Sequence, residues 1–367
     1  MKAWRFYGFG DFRLDDVPVP KALPRHVLVE PLCVQPSVTE AQLAFGIPTL
    51  AYDRVQRRLE ADAPIQLFGH EFCARILETG DGVQRFKAGD RVAARAKLPC
   101  EKCSLCLSER SALCRRGPVI GFDQPGCFSE VALLPEISLV HVDDRISDSE
   151  AACLQSLSDS VAAVETADIR MGDTVVIFGQ GTMGLECLQI ARISGAGLII
   201  TVDVRDESCQ ISRRLGADHA LNARTCNVVE ALGELTEGNG ADVAFECAGG
   251  SPKQGLAGAQ SLRDAIESVR SGGKLIGVSW FGAPLELNVD LLRERSLRYL
   301  FPDISTQAHL EHTVRLVASG RVRLGETITH VLHGIEAVPQ AFEITANKGK
   351  YKAINPAQVV FQTAARP

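Results

Sequence analysis

Four cysteines stand close together in the stretch PCEKCSLCLSERSALC (99–114), namely Cys100, Cys103, Cys106 and Cys114. Thiolates with this spacing can converge from one loop on a tetrahedral zinc ion, with Zn–S distances of about 2.3 Å and no position left open for a substrate. The alternative is a set of unrelated buried or disulfide-bonded cysteines. Core packing does not require such a cluster, and no secretory signal precedes it. The loop therefore predicts one structural zinc per chain.

A glycine-rich motif, Gly179-Gln-Gly181-Thr-Met-Gly184, follows the β-branched run DTVVIFG (173–179) and precedes a helical pattern, LECLQIARIS (185–194). Gly179 permits a tight turn, Gly181 lets the backbone approach a pyrophosphate, and Gly184 lets the helix pack closely on the strand. The helix N-terminus offers free N–H groups to the anion. This strand, turn and helix predict a dinucleotide-binding site.

The next predicted strand, LIITVDV (198–204), contains Asp203 near its end. An acidic residue there hydrogen-bonds the adenosine ribose and repels a 2′-phosphate, which favours NAD(H) over NADP(H). Arg205 is an alternative signal, because an arginine at this place could bind that phosphate. The predicted cofactor-binding residues are Gly179, Gly181, Thr182, Met183, Gly184, Asp203 and Arg205.

Strand and helix patterns continue to alternate beyond this motif. ADVAFECAG (241–249) and GGKLIGVSWFG (272–282) are typical of buried parallel strands, and RDAIESVRSG (263–272) between them is typical of a helix that ends at a glycine. The sequence predicts the α/β class, with a doubly wound parallel sheet.

Composition indicates an ordinary enzyme that acts on small molecules. The 367 residues suit two domains, at about 100–200 residues each. The net charge is −6 and no basic run occurs, so neither a nucleic-acid nor a membrane partner is expected. Without a long apolar stretch, the expected location is the cytoplasm.

Together these motifs resemble the zinc-containing medium-chain dehydrogenase/reductase family, in the branch of alcohol, sorbitol and threonine dehydrogenases. Further landmarks are Gly69-His70-Glu71, FKAGDRVA (86–93) and ITHVLHGIEAVPQAF (328–342). The resemblance implies a GroES-like β-barrel catalytic domain over 1–159 with a zinc lobe at 97–116, a Rossmann domain over 160–302, and a return segment over 303–367. It also implies a homodimer or homotetramer through the segment 279–301.

The catalytic zinc site of that family is altered in this chain. The box Cys-Gly-Thr/Ser-Asp-x-His aligns with Ser37, Val38, Thr39, Glu40 and Gln42, and a glutamate ligand aligns with Gln155. Of three usual ligands only His70 remains. A hydroxyl and an amide replace a thiolate and a carboxylate, so tight zinc binding is not expected there. Rescue by Cys33, Cys73 or Cys153, or by Glu71 with Asp159, is the alternative.

The resemblance assigns proton transfer to Thr39, with a hydrogen bond from Ser37. His70 could act as general acid or base, because the unperturbed pKa of a histidine side chain is about 6.5. The alternative is a structural histidine held by Glu71 or Glu40. The predicted catalytic residues are Ser37, Thr39, His70, Glu71 and Gln155.

An unusual insertion, TLAYDRVQRRLEAD (49–62), predicts a short amphipathic helix with apolar Leu50, Val55 and Leu59. Its arginines, Arg54, Arg57 and Arg58, could recognise an anionic substrate or form a solvated face paired with Asp53 and Glu60.

The sequence therefore predicts an NAD(H)-dependent oxidoreductase without catalytic zinc, acting on an alcohol, a ketone or a conjugated double bond of a small metabolite. The alternatives are a conventional zinc-dependent alcohol or polyol dehydrogenase with substituted ligands, and a catalytically dead nucleotide-binding regulator.

Overall fold

The computed structural model describes residues 1–108, 110–250, 258–282 and 284–361. Its strands are β1 Lys2–Gly8, β2 Asp11–Asp16, β3 His26–Gln35, β4 Glu71–Thr79, β5 Arg91–Ala94, β6 Ala132–Pro135, β7 Leu139–His141, β8 Thr174–Phe178, β9 Leu198–Asp203, β10 His219–Asn222, β11 Ala241–Glu246, β12 Val269–Gly277, β13 Arg298–Leu300, β14 Val331–His333 and β15 Gln358–Val360.

The α-helices are α1 Val38–Ala44, α2 Tyr52–Asp62, α3 Ser104–Leu107, α4 Asp148–Ala151, α5 Leu154–Ala167, α6 Thr182–Ile193, α7 Asp206–Arg214, α8 Val228–Leu235, α9 Ala259–Ser268, α10 Val289–Glu294, α11 Gln307–Ala318, α12 Val338–Ala346 and α13 Lys348–Tyr351. Short 3-10 helices cover Ser111–Leu113, Glu136–Ser138, Gly325–Thr327 and Ile335–Ala337. Within the described residues, every helix is too short or too polar to span a bilayer.

The chain divides into two compact units. Unit 1 comprises Met1–Ser158, Ile304–Ser319 and the chain from Ile328 onward, and unit 2 comprises Asp159–Asp303 and Gly320–Thr327. Both termini of the described chain therefore belong to unit 1, and most of unit 2 is one continuous segment.

Unit 1 is built on a curved, mostly antiparallel sheet in the order β14-β15-β3-β4-β5-β7, with β6 paired to β3. The long strand β3, HVLVEPLCVQ, is buried along nearly its whole length because β4, β6 and β15 all pair with it. β4 pairs with β3 so that Gln35 lies opposite Glu71 and Cys33 lies opposite Cys73. This register sets the polar groups of the site described below.

The ends of the chain meet inside unit 1. Val359 of β15 pairs with Val34 of β3, and the Trp4 indole Nε1 donates to the Ile335 carbonyl at 2.8 Å. The rings of Phe6 and Phe128 each pack against Phe342 of α12. The apolar core of unit 1 thus combines the first strands with the last helices and strands.

Unit 2 contains a six-stranded parallel sheet in the order β10-β9-β8-β11-β12-β13. Numbered along the chain, these strands run 3-2-1-4-5-6, the order of doubly wound dinucleotide-binding domains. Buried strand residues such as Val176, Ile200, Ala244 and Leu275 pack against the apolar sides of α8 and α9. The prediction of an α/β protein with a GroES-like domain and a Rossmann sheet is confirmed.

Two local predictions need correction. The helix expected over 263–272 is α9, which ends at Ser268 because the buried, β-branched Val269 already adopts extended geometry and begins β12. The helix of the insertion is present as α2, with Val55 and Leu59 buried, but Leu50 lies ahead of it and is 40% exposed. The apolar side of α2 is therefore shorter than the sequence pattern suggests.

Candidate functional site

The cysteine loop brings its four sulfur atoms together. Sγ–Sγ distances are 3.9 Å for Cys100 and Cys106, 3.5 Å for Cys103 and Cys106, and 3.8 Å for Cys103 and Cys114, and all four lie within 4.8 Å of one another. Sulfur atoms that surround zinc tetrahedrally at about 2.3 Å are separated by about 3.8 Å. The donor set and its geometry therefore fit a structural zinc ion.

The base of this loop is pinned by backbone pairing. Lys97 forms a bridge with Val119, and the Leu98 N–H donates to the Pro118 carbonyl at 2.9 Å. Gly117 is required here, because a Cβ at this position would lie 1.7 Å from the Leu98 oxygen. The loop is closed at both ends, which holds the cysteines facing one another.

Backbone donors stabilise the thiolate form of Cys114. The Cys100 N–H donates to the Cys114 Sγ at 3.4 Å, and this bond is the largest cause that lowers the pKa of Cys114 to about 6. A thiolate is the form that binds zinc. This ligand is therefore prepared for the metal near neutral pH.

The glycine-rich turn of unit 2 lies between β8 and α6, with Gly181 as the N-cap of the helix. Gly179 has φ of +85°, and a Cβ there would lie 2.6 Å from the Ala248 nitrogen. A Cβ at Gly184 would lie 1.8 Å from the Gly179 carbonyl oxygen. Thr182 and Met183 form the first turn of α6. Only glycine fits this turn, which leaves a backbone cradle for a pyrophosphate.

Asp203, at the end of β9, is tied to the same turn. Its Oδ2 accepts the Gln180 N–H at 2.7 Å, and its Oδ1 accepts the Arg205 N–H at 2.9 Å. A carboxylate has about four lone-pair positions, so acceptor capacity remains for ribose hydroxyls. The Arg205 guanidinium donates to the Ser208 hydroxyl at 2.8 Å, and its Nε is 3.9 Å from Asp203.

His70 is held by a buried carboxylate. Its Nδ1 lies 2.5 Å from the Glu40 Oε1, which also accepts the Gly69 N–H at 2.9 Å. A carboxylate only accepts hydrogen bonds, so Nδ1 carries a proton and Nε2 is the nitrogen that lacks one in the neutral ring. The ring of Phe122 lies 5.8 Å from the His70 ring.

Ser37 begins α1 in a reciprocal capping box. Its Oγ accepts the Glu40 N–H at 3.2 Å, while the Glu40 Oε2 accepts the Ser37 N–H at 3.0 Å. The hydroxyl at the position predicted to replace a cysteine ligand thus stabilises the helix start. The same turn orients Glu40 towards His70.

Glu71 is fixed by a chain of buried amides that the sequence analysis missed. Its Oε2 accepts the Gln35 Nε2 at 2.5 Å, and the Gln35 Oε1 accepts the Gln358 Nε2 at 2.9 Å. The other oxygen, Oε1, is 3.9 Å from the His70 Nε2. A glutamine that ends an otherwise apolar strand was the available signal, but its partner depends on the pairing of β3 with β4.

The remaining predicted residues lie on neighbouring helices. Thr39 is half-buried on α1, and its hydroxyl makes no hydrogen bond within the described part of the chain. Gln155 is buried at the start of α5. Two residues earlier, the Cys153 Sγ is 3.5 Å from the Gln35 Oε1. Hydrogen bonds thus connect Ser37 to His70 through Glu40, and Cys153 to Glu71 through Gln35.

The other thiols near this group are buried and lie among polar neighbours. Burial raises the pKa of Cys33 to about 12 and raises that of Cys73 further, which keeps both neutral. Cys153 lies among the amides of Asn355 and Gln358, at 3.1 and 3.4 Å. Among residues 1–108, 110–250, 258–282 and 284–361, the cysteine loop is the only group of three or more histidine, cysteine, aspartate or glutamate side chains placed to hold an ion.

The arginines of α2 mostly bind within unit 1. Arg54 forms an ion pair with Asp123, and the Arg58 Nη1 donates to the Phe122 carbonyl. The expected pairing with Asp53 and Glu60 is therefore wrong for these two, because α2 packs beside the 119–124 turn. Arg57 is exposed.

Comparison with known proteins places this architecture in a family. The model of the alcohol dehydrogenase GroES-like domain matches residues 45–144, and that of the zinc-binding dehydrogenase matches 182–318. Sorbitol dehydrogenase of Halalkalibacterium halodurans is 30% identical over 271 residues, covering 73% of this chain and 76% of that protein. L-threonine 3-dehydrogenase of Rhizobium johnstonii is 27% identical over 343 residues, covering 92% and 93%.

A solved structure gives the same result. A zinc-binding dehydrogenase from Sinorhizobium meliloti, bound to NADP, is similar with a TM-score of 0.84 at 25% identity, covering 99% of both chains. The chain belongs to the zinc-type medium-chain dehydrogenase/reductase family. It is an NAD(P)-dependent oxidoreductase of the alcohol and polyol dehydrogenase type, with zinc as a further cofactor.

Proposed function

We propose that this enzyme transfers hydride between NAD(H) and a small alcohol, ketone or conjugated double bond without a catalytic zinc ion. The observation that carries this proposal is the chemistry at position 37. A serine whose hydroxyl accepts the N–H of Glu40 stands where the family's thiolate ligand would be. Gln155 and His70 then offer one amide and one imidazole. Neither group is anionic, so tight zinc binding is not expected.

NAD(H), when bound, supplies or accepts the hydride. The chain must then bind the dinucleotide, orient the substrate and move a proton. We assign dinucleotide binding to the turn 179–184 with Asp203, and proton transfer to the His70 Nε2 with the Thr39 hydroxyl. Glu40 supports this role because it fixes the tautomer of the imidazole.

We propose a neutral substrate for this site. Two of the three arginines that could attract an anion are engaged, Arg54 by Asp123 and Arg58 by the Phe122 carbonyl. Phe122 places an aromatic ring beside His70. An apolar wall next to the proton-transferring group favours an uncharged carbonyl or hydroxyl compound.

The decisive experiment measures metal content before and after restoring the missing ligands. Wild-type protein purified without chelator should contain one zinc per chain, released when Cys103 is changed to serine. The double variant Ser37→Cys/Gln155→Glu should contain two, because it adds a thiolate and a carboxylate beside His70. The matched control, Ser319→Cys/Gln260→Glu at two exposed positions away from His70, should remain at one. Two tightly held zinc ions in the wild type, with turnover proportional to the second, would refute the proposal.

We also propose a homodimer or homotetramer. β13 is one of the two edge strands of the unit 2 sheet within the described residues, and the nearby Trp280 and Phe301 are 63% and 65% exposed. An unprotected apolar edge favours pairing with a second copy. Light scattering at micromolar concentration should report a dimer or tetramer, and Phe301→Asp should shift it towards monomer. A wild type that is only monomeric would contradict this.

A further inference from the structure

Arg95, directly after β5, is a buried cation without a conventional partner. The residue is only 8% exposed, and its Nε lacks a hydrogen-bond partner. No ion pair or side-chain hydrogen bond of Arg95 occurs within the described chain. Burying a guanidinium without an anion is costly, so a compensating negative charge is expected close by.

The charges that act on Arg95 belong to the cysteine loop. Burial lowers the pKa of Arg95, whereas the negative charges that Cys106 and Glu101 carry when ionised raise it. Glu101 is exposed, so solvent screens much of its charge. Cys106 is one of the four zinc ligands and is therefore the more effective counter-charge.

Lys97 is likewise subject to the charges of two other ligands of the loop, Cys114 and Cys100. Its Nζ donates to the Gly117 carbonyl at the base of the loop. Burial lowers the pKa of Lys97 most, the charge of Arg54 lowers it further, and the Cys114 and Cys100 thiolates raise it. Arg95 and Lys97 thus act electrostatically on three of the four sulfur atoms.

The zinc centre itself has a charge that needs balancing. A zinc ion held by four thiolates has a formal net charge of about −2. We propose that Arg95 and Lys97 are charge partners of this centre. Their positive charges partly balance its negative charge and thereby slow the release of the metal. The other described cations of the loop, Lys102, Arg110, Arg115 and Arg116, are exposed. Solvent screens such charges, so they contribute less.

Zinc release to excess chelator tests the proposal without any enzyme assay. Arg95→Met keeps a long apolar stem but removes the charge, and it should release zinc about 10–100-fold faster, the usual effect of losing an outer partner of a metal site. Arg95→Lys, which keeps the charge, should release zinc within about threefold of the wild-type rate. Arg115→Gln removes an exposed charge next to Cys114 and is the matched control, with the wild-type rate expected.

A double-mutant cycle separates charge pairing from simple packing. In the Cys103→Ser background, which lacks the full zinc site, Arg95→Met should destabilise the protein less than it does in the wild type. The factor by which it changes the unfolding constant measured in urea should be at least tenfold smaller, a difference of about 1.4 kcal/mol in the free energy of unfolding. Equal effects in both backgrounds would show that Arg95 only fills space, which overturns the proposal. Equal zinc release by Arg95→Met and the wild type would do the same.

Lys97→Met provides an independent arm if Arg95→Met yields no folded protein. It should release zinc several-fold faster than Arg115→Gln, because Lys97 is half-buried and better shielded from solvent than the exposed Arg115. Identical rates for these two variants would overturn the proposal. If Arg95→Lys released zinc as fast as Arg95→Met, the charge at position 95 would not be the relevant property, and the proposal would fail for Arg95.

Discussion

The cysteine loop and the group around His70, for which the sequence predicts an intact and an altered zinc site, differ in how their residues are supplied. Four identical ligands of the loop come from 15 consecutive residues, 100–114, whose ends are closed by backbone pairing. The His70 group draws on α1, β4 and α5, and its members are bound mainly to one another. A local site can persist as a unit, whereas an assembled site can lose its metal through two substitutions.

The residues around His70 also have structural roles that need no metal. Ser37 retains a structural task as the cap of α1, and Glu40 retains the task of orienting His70. The imidazole is therefore as well positioned as a metal ligand would be. These contacts support the proposal that the group transfers protons without a metal.

The strongest challenge to this comparison is removal of the imidazole. His70→Ala should lower kcat/KM by about 10²–10⁴-fold, the typical loss of a general acid or base, and Thr39→Val should act in the same direction. Turnover is measured with NADH and a panel of small ketones and conjugated carbonyl compounds. His333→Ala, an exposed histidine on β14, is the control and should be neutral. An unchanged His70→Ala rate would leave His70 with a structural role only.

The cysteine loop should respond in stability and not in chemistry. Cys103→Ser should lose the zinc and lower the free energy of unfolding by at least about 3 kcal/mol, because metal binding is coupled to folding of the loop. At roughly 2–4 °C per kcal/mol, thermal denaturation should show a fall in Tm of about 6–12 °C. Cys226→Ser, at an exposed thiol, is the matched control. Unchanged Tm and zinc content in Cys103→Ser would remove the structural site.

The smallest expected effect concerns the dinucleotide turn. As in the cysteine loop, every residue of the motif predicted from the sequence is present there. NADH should bind at least tenfold more tightly than NADPH, about 1.4 kcal/mol, and Asp203→Ala should narrow this ratio by removing the repulsion of the 2′-phosphate. Fluorescence titration with both cofactors measures it. Asp206→Ala, an exposed neighbour on α7, should leave the ratio unchanged. Equal affinities in the wild type would mean that Arg205 dominates.

Much of the fold could be read from the sequence because the signals are local. The β-branched run before Gly179 and the apolar periodicity after Gly184 define β8 and α6, and the β-branched residues and phenylalanines of later runs define β9 and β11. The end of α9 was harder to predict. A polar stretch with glycines can end a helix or begin a strand. Here Val269 is buried and begins β12.

The candidate site was less predictable because its contacts are long-range. The bonds from Gln35 to Glu71 and to Gln358 join positions that are 36 and 323 residues apart. The ion pair of Arg54 with Asp123 likewise depends on where α2 packs. Residue types and spacing indicate donors and acceptors, but pairing between distant strands and helices is set by the tertiary fold.

The junction of β15 with β3 has a consequence for how the protein is made. About 200 residues separate the end of the first segment of unit 1 from Val360, which at about 5–20 residues per second is a delay of about 10–40 s during synthesis. Most of unit 2 is continuous and can fold in that interval, while Trp4 and β3 still lack their C-terminal partners. A chain that stops before β15 should therefore carry a finished dinucleotide domain on an unfinished barrel, the form that cellular proteases remove first.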